Sequence, residues 1–156
     1  MTTEAFMVSG RLIRLVESHQ QEITDDIIHV IRHHPELVHM RNLTELELRA
    51  RARHISERLG HWLAAGKEEE LAKEYEAIGK TRFEESIPLH ESVRTLCIIK
   101  DKMISFVQEH AINKDSMELY AEEELECRVS RFFDVLVIHL VRGYESAWRI
   151  AAHAAA

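Results

Sequence analysis

Apolar residues recur at three- and four-residue intervals along almost the whole chain, the signature of helices that each bury one face. Val8, Leu12, Leu15, Val16, His19, Ile23 and Ile27 share one stripe, so the first helix either runs far or breaks between Ser18 and Thr24. Thr24, followed by Asp25 and Asp26, has the character of a local helix start, with acids placed to suit the dipole. Ile23, Ile27, Val30 and Ile31 carry the buried face on to His34-Pro35, where proline disfavours helix in the residue before it. Residues 36–42 then read as a connector. Thr44, with Glu47 three residues on, predicts a capping box, and Leu43 and Leu48 can form its staple. Leu48, Ala52, Ile55, Leu59, Trp62 and Leu63 make the core face of that helix, which Gly66 ends. A shorter helix over 67–85 buries Leu71, Tyr75 and Ile78. Pro88 suits the first turn of a helix to about Ile112, with Leu89, Val93, Leu96, Met103, Ile104 and Val107 inward. Asn113 to Asp115 is a turn, and Ser116 to about Ala152 reads as one helix.

That last helix is the most informative by geometry. About 36 residues at 1.5 Å rise extend about 54 Å, against a radius of gyration of about 15 Å for a compact domain of this length. Either Gly143 breaks the helix or its end projects beyond the bundle. Its apolar face is also double: Val129, Phe132, Phe133, Leu136, Leu140 and Tyr144 form one stripe, and Val135, Ile138 and Val141 lie on the other side. A helix apolar all round is buried all round. The second face predicts a homodimer interface at Val135, Ile138 and Val141; the alternative is a central helix sandwiched inside one subunit.

Composition narrows the fold class. With 156 residues and only five Gly and two Pro, the chain cannot punctuate the many short strands of a sandwich or barrel. It predicts one all-α domain over 1–156, a bundle of five to six helices. The balance of 27 Asp+Glu against 20 Lys+Arg, a net charge of -7, opposes direct nucleic-acid binding. No apolar run approaches the roughly 20 residues of a membrane span, and the N-terminus lacks a signal-peptide block, so a cytoplasmic location is expected. Cys97 and Cys127 have neither metal-type nor redox-type spacing.

Eleven histidines invite a metal hypothesis. His29 and His33 share a helical face, but it lies opposite the Ile stripe and brings no third ligand. His54 and His61 share a face with Arg58, whose charge opposes a cation there. Carboxylate–histidine pairs of the di-iron type occur with the wrong direction or spacing. His139, inside the apolar run Val135–Val141, could serve as an axial haem ligand or a core histidine satisfied by a hydrogen bond. Lys100 falls within an apolar arc, where an ammonium needs a partner or a lowered pKa; with His139 it marks a candidate ligand pocket, the bland reading being a snorkelling side chain. No nucleophile–base arrangement, phosphate loop or paired acid occurs, and no metal or cofactor is expected.

The stretch Ile78-Gly79-Lys80-Thr81-Arg82-Phe83-Glu84-Glu85-Ser86-Ile87-Pro88-Leu89, with Val93-Arg94 after it, resembles the (G)xxRxxxGhxLxxLhRxhR core (h, apolar) of the N-terminal sensory domains of RsbRD-type stressosome proteins, the RsbT co-antagonists, which also precede the DNA-binding domain of PucR-type regulators. Ile31-Arg32-His33-His34-Pro35 and Gly143-Tyr144-Glu145 resemble the ends of the family's opening and closing helices. The chain departs from it: Ser86 stands where the pattern has glycine, and the arginine that follows Arg94 in the pattern is absent, Lys100 being the next cation. Gly79, Arg82, Ser86, Leu89 and Arg94 are then the family-motif positions, Gly79 permitting close helix approach and Arg82 bracing the junction into the next helix. The resemblance implies a globin-like or bundle-like, dimeric, non-enzymatic input domain for stress response or transcription regulation. Such a domain passes a signal through its C-terminal helix to an output domain or partner protein. The rival reading is a haem- or metal-binding helical sensor.

Overall fold

The computed structural model describes residues 3–110 and 115–155, with side chains from Ser9 onward. Seven α-helices and one 3-10 turn make up the described chain, with no strand among its residues. They run α1 (Thr3–Ser18), α2 (Gln20–His33), the 3-10 turn Met40–Asn42, α3 (Glu45–Ser56), α4 (Leu59–Leu63), α5 (Glu68–Glu84), α6 (Leu89–His110) and α7 (Ser116–Ala155).

The opening stripe breaks at its early limit. His19 leaves helical geometry at φ -110, ψ 22, while Thr24, expected to start a helix, sits fully buried within α2. The Ile23–Ile27–Ile31 stripe runs straight through it, so the helix has to begin a turn earlier. The capping box forms as expected: the Glu47 N–H donates to Thr44 Oγ1 at 3.2 Å and the Thr44 N–H donates to Glu47 Oε2 at 3.3 Å. The helix it starts stops at Ser56 rather than Gly66, and Leu59–Leu63 forms a separate turn of helix. Gly66 instead takes φ +82 in the turn before α5. These two breaks raise the helix number above the expected five to six. The expected turn at Asn113 and Lys114 lies outside the described residues.

α7 is the axis of the molecule. It packs most extensively on α5, then on α6 and α1, with α4 touching it as well, while α2 pairs with α3 and α6. One apolar cluster joins α1 through α7, with Val16, Ile27, Leu37, Ala52, Leu59 and Leu136 wholly inaccessible. α7 is continuous through Gly143 and at 1.5 Å per residue extends about 60 Å. Its last buried residue is Ala147; every residue from Trp148 to Ala155 is exposed, a free end about 12 Å long.

Candidate functional site

Of the motif residues, Gly79, Arg82, Ser86 and Leu89 lie at the junction of α5 with α6 and α7. α5 ends in a Schellman turn: the Ile87 N–H donates to Arg82 O at 3.0 Å and the Ser86 N–H donates to Phe83 O at 2.9 Å. That turn needs a left-handed residue, and Ser86 supplies it at φ 60. Here lies the physical reason for a glycine at this position in the pattern: only glycine takes that conformation without cost. Ile87, at the apolar position of the pattern, is buried, the contact that accompanies such turns. Leu89, expected inward, is 38% exposed at the first position of α6. Arg82 is buried and its guanidinium pairs with Glu85 at 3.0 Å, closing the end of α5 on itself. Arg94 lies on the surface in an ion pair with Glu36 at 3.0 Å.

Gly79 and Gly143 form the crossing of α5 with α7. A Cβ on Gly79 would lie 2.3 Å from Leu140 O, and one on Gly143 would lie 2.2 Å from Glu76 O. Backbone therefore packs on backbone, as the reading of Gly79 expected. The next residue, Tyr144, latches the crossing to the turn: its hydroxyl donates to Ile87 O at 2.9 Å and accepts the Ser92 hydroxyl at 2.7 Å. Burial raises the Tyr144 phenol above its ordinary pKa, which keeps the proton this latch requires.

One functional group was missed from sequence. Glu91, 1% exposed on the first turn of α6, accepts the His39 N–H at 2.9 Å, the Met40 N–H at 3.1 Å and the His39 Nδ1–H at 2.6 Å. It thereby caps the 3-10 turn from another helix. Burial would raise its carboxyl, but the hydrogen bonds from Met40 and His39 outweigh burial and hold it below the ordinary value. Helical spacing sets Glu91 on one face with the buried Thr95 and Ile99, which signals its burial but not its partners.

Behind the junction lies a partly open cavity of about 40 Å³ lined by residues of α2, the 3-10 turn, α3, α5, α6 and α7. Its wall is mainly aliphatic, and Tyr75, Arg51, Arg82, Ser92 and Thr95 are the polar residues of its lining. Neither Lys100 nor His139, the expected pocket pair, belongs to this lining. Lys100 is half-buried. His139 is 5% exposed, its Nε2 3.6 Å from Glu68 Oε1, and neither ring nitrogen is hydrogen-bonded. The helical phase of 100° per residue explains the difference: the cavity meets α7 at Leu140, a different face from that of His139.

The other histidines divide. His29 and His33 are exposed, as expected, with rings 4.4 Å apart. His54 and His61 are not free at the surface but flank Trp62 at 4.9 and 4.7 Å, with Arg58 over the same ring at 5.8 Å. No group of three His, Cys, Asp or Glu able to hold a metal occurs among the described residues. On the outer side of α7, Ile138 is 54% exposed, while Val135 and Val141 are half-buried against their own subunit. Large apolar surface continues at Trp148, 63% exposed, and Ile150, 57% exposed. No helix among the described residues is long and apolar enough to cross a membrane.

No protein-family model, curated protein or solved structure matches the chain.

Proposed function

We propose that this chain is a non-enzymatic input domain of the RsbRD type, which its 78–94 segment resembles, acting as a cytoplasmic homodimer. It passes a signal along α7 to an output domain or partner protein. The observation that carries the reading is the form of α7. The helix is clamped to α5 at Gly79 and Gly143, latched by Tyr144 to the α5–α6 turn, and then runs two turns into solvent with Trp148 and Ile150 uncovered. A rearrangement at the junction bears directly on this helix, and helices transmit rotation and translation as units. Three of the motif residues that suggested the family, Gly79, Arg82 and Ser86, sit at the base of that lever, where a sensory domain would couple its core to its output.

Two measurements test the two halves of the proposal. Light scattering of the purified chain at micromolar concentration is expected to give twice the mass of one subunit, and monomer alone removes the dimer. In a fusion of α7 to a reporter DNA-binding domain, two residues inserted after Ala151 turn everything beyond by about 200°. That insertion is expected to change reporter output; unchanged output removes transmission through the helix.

A further inference from the structure

We infer that the cavity behind the α5–α6 junction is a binding site for a small neutral organic molecule bearing one oxygen, of the size and polarity of a short-chain ketone or alcohol. The inference starts from Tyr75. Its side chain is fully buried at the cavity wall, and its hydroxyl has no hydrogen-bond partner among the described residues. A buried phenolic hydroxyl almost always finds a partner, because leaving it without one is costly. The other polar side chains of the wall are engaged: Ser92 with Tyr144, Thr95 with Glu91 O, Arg82 with Glu85 and Arg51 with Glu74. Among the residues of the lining, the unmet hydrogen-bonding capacity therefore resides in the Tyr75 hydroxyl, and the rest of the wall is mainly aliphatic, with Ile27, Ile55, Leu96 and Ile99.

Size and charge narrow the class. One water needs about 10–15 Å³ on this volume scale, so the 40 Å³ present suits about three or four heavy atoms. Both guanidiniums at the wall are already neutralised by a carboxylate, so an anion would have to displace Glu74 or Glu85, and a cation would face two arginines. A neutral ligand meets neither cost. The half-exposed Arg51 marks the side where the lining reaches the surface. Leu140 places the same wall on α7, one turn before Tyr144, so occupancy bears on the helix that carries the signal; this use of the site rests on the input-domain reading above.

The test uses four probes of matched size: acetone, 2-propanol, acetate and xenon, titrated into the full chain with labelled Ile and Leu methyls followed by NMR. Acetone and 2-propanol are expected to shift the Ile27, Ile55, Leu96 and Ile99 methyls saturably, and acetate to leave them unmoved. Tyr75→Phe is expected to weaken acetone about two- to tenfold, the range of one net hydrogen bond, while xenon, which needs no acceptor, binds both proteins alike. Shifts that do not saturate, acetate binding as well as acetone, or an unchanged acetone affinity in Tyr75→Phe would each overturn the site. Reporter output from the α7 fusion with and without saturating acetone keeps the two readings apart. Saturable binding with unchanged output sustains the site and removes its signalling use, whereas absent binding in a dimer that still drives the reporter removes the site alone.

Discussion

Ser86 is the residue at which backbone chemistry and sequence pattern meet. A left-handed L-residue costs about 1–2 kcal/mol, and the Schellman turn holds Ser86 there because both of its hydrogen bonds depend on it. Glycine removes the clash but adds freedom to the unfolded chain. Ser86→Gly is therefore expected to stabilise the protein by about 0.5–1 kcal/mol, read as a higher urea midpoint with unchanged slope. A lower midpoint would show that the serine hydroxyl earns its place. Glu91 makes the opposite case, a charge whose hydrogen bonds outweigh its burial. Its carboxyl lies below the ordinary 4.5, so its contribution is fully present above that pH and is lost as pH falls through the lowered value. Glu91→Gln should cost about 2 kcal/mol at neutral pH, the scale of hydrogen bonds to a charged acceptor. The gap to wild type should close on acidification below 4.5, and a gap independent of pH there would contradict the carboxylate cap. Ser86 could be singled out from the pattern because its turn is local, whereas the role of Glu91 was not legible from helical spacing alone, because it depends on the 36–42 connector laid against α6.

Among the elements, what could be read locally was read well. The Thr44–Glu47 box, the end of α2 before Pro35 and the long α7 all follow from interactions within a few residues of chain. The split of α1 from α2 at His19 involves neither Gly nor Pro, so the stripe alone leaves open whether the helix runs on or breaks between Ser18 and Thr24; the break at Glu57–Arg58 likewise has no local breaker, and there periodicity carries the expected helix on to Gly66. On the helical wheel His54 and His61 share the face of Arg58, away from Leu48, Ile55 and Leu59, whereas α4 turns back so that Trp62 sits between them and donates to His54 O at 2.9 Å. The candidate pocket failed for a related reason: an apolar arc identifies a buried face but not which buried face borders a void. The α5–α7 crossing gives this scale its prediction. Replacing Gly79 by Ala gains about 1 kcal/mol of helix propensity. The new methyl, however, meets the Leu140 carbonyl oxygen, backbone that cannot rotate away, and overpacking costs about 1–3 kcal/mol. The clash wins, and Gly79→Ala is expected to lower the melting temperature by several degrees. Gly10→Ala is the control, since its Cβ would meet only Arg14 Nη1 at an ordinary 3.5 Å, and it should raise the melting temperature. Equal responses of the two variants would mean that α5 and α7 do not cross at this distance.

At the scale of the molecule, the outer side of α7 decides between a lone subunit and a pair. Arg131, Asp134, Ile138, Arg142, Glu145 and Arg149 recur at three- and four-residue steps and are all exposed. The surface is thus less apolar than Val135, Ile138 and Val141 alone suggested, two of the three being half-buried within their own subunit. It is nonetheless suited to self-association: charges alternate in sign along it, so a copy related by a two-fold axis can set arginine against acid on either side of an Ile138 pair. Trp148 and Ile150 then extend the contact along the free end, supplying the aromatic anchor such interfaces favour. Ile138→Glu separates association from folding because the side chain is already more than half in water, so the change should move subunit stability by no more than about 0.5 kcal/mol. Placing two glutamates opposite one another across the axis should convert the dimer to monomer at the same micromolar concentration, with the helical circular dichroism signal intact. A dimer that survives Ile138→Glu but is lost on Trp148→Glu would move the contact to the projecting end, leaving the body of α7 free for a partner. A dimer indifferent to both would lie on another face, and α7 would have to signal as a single helix.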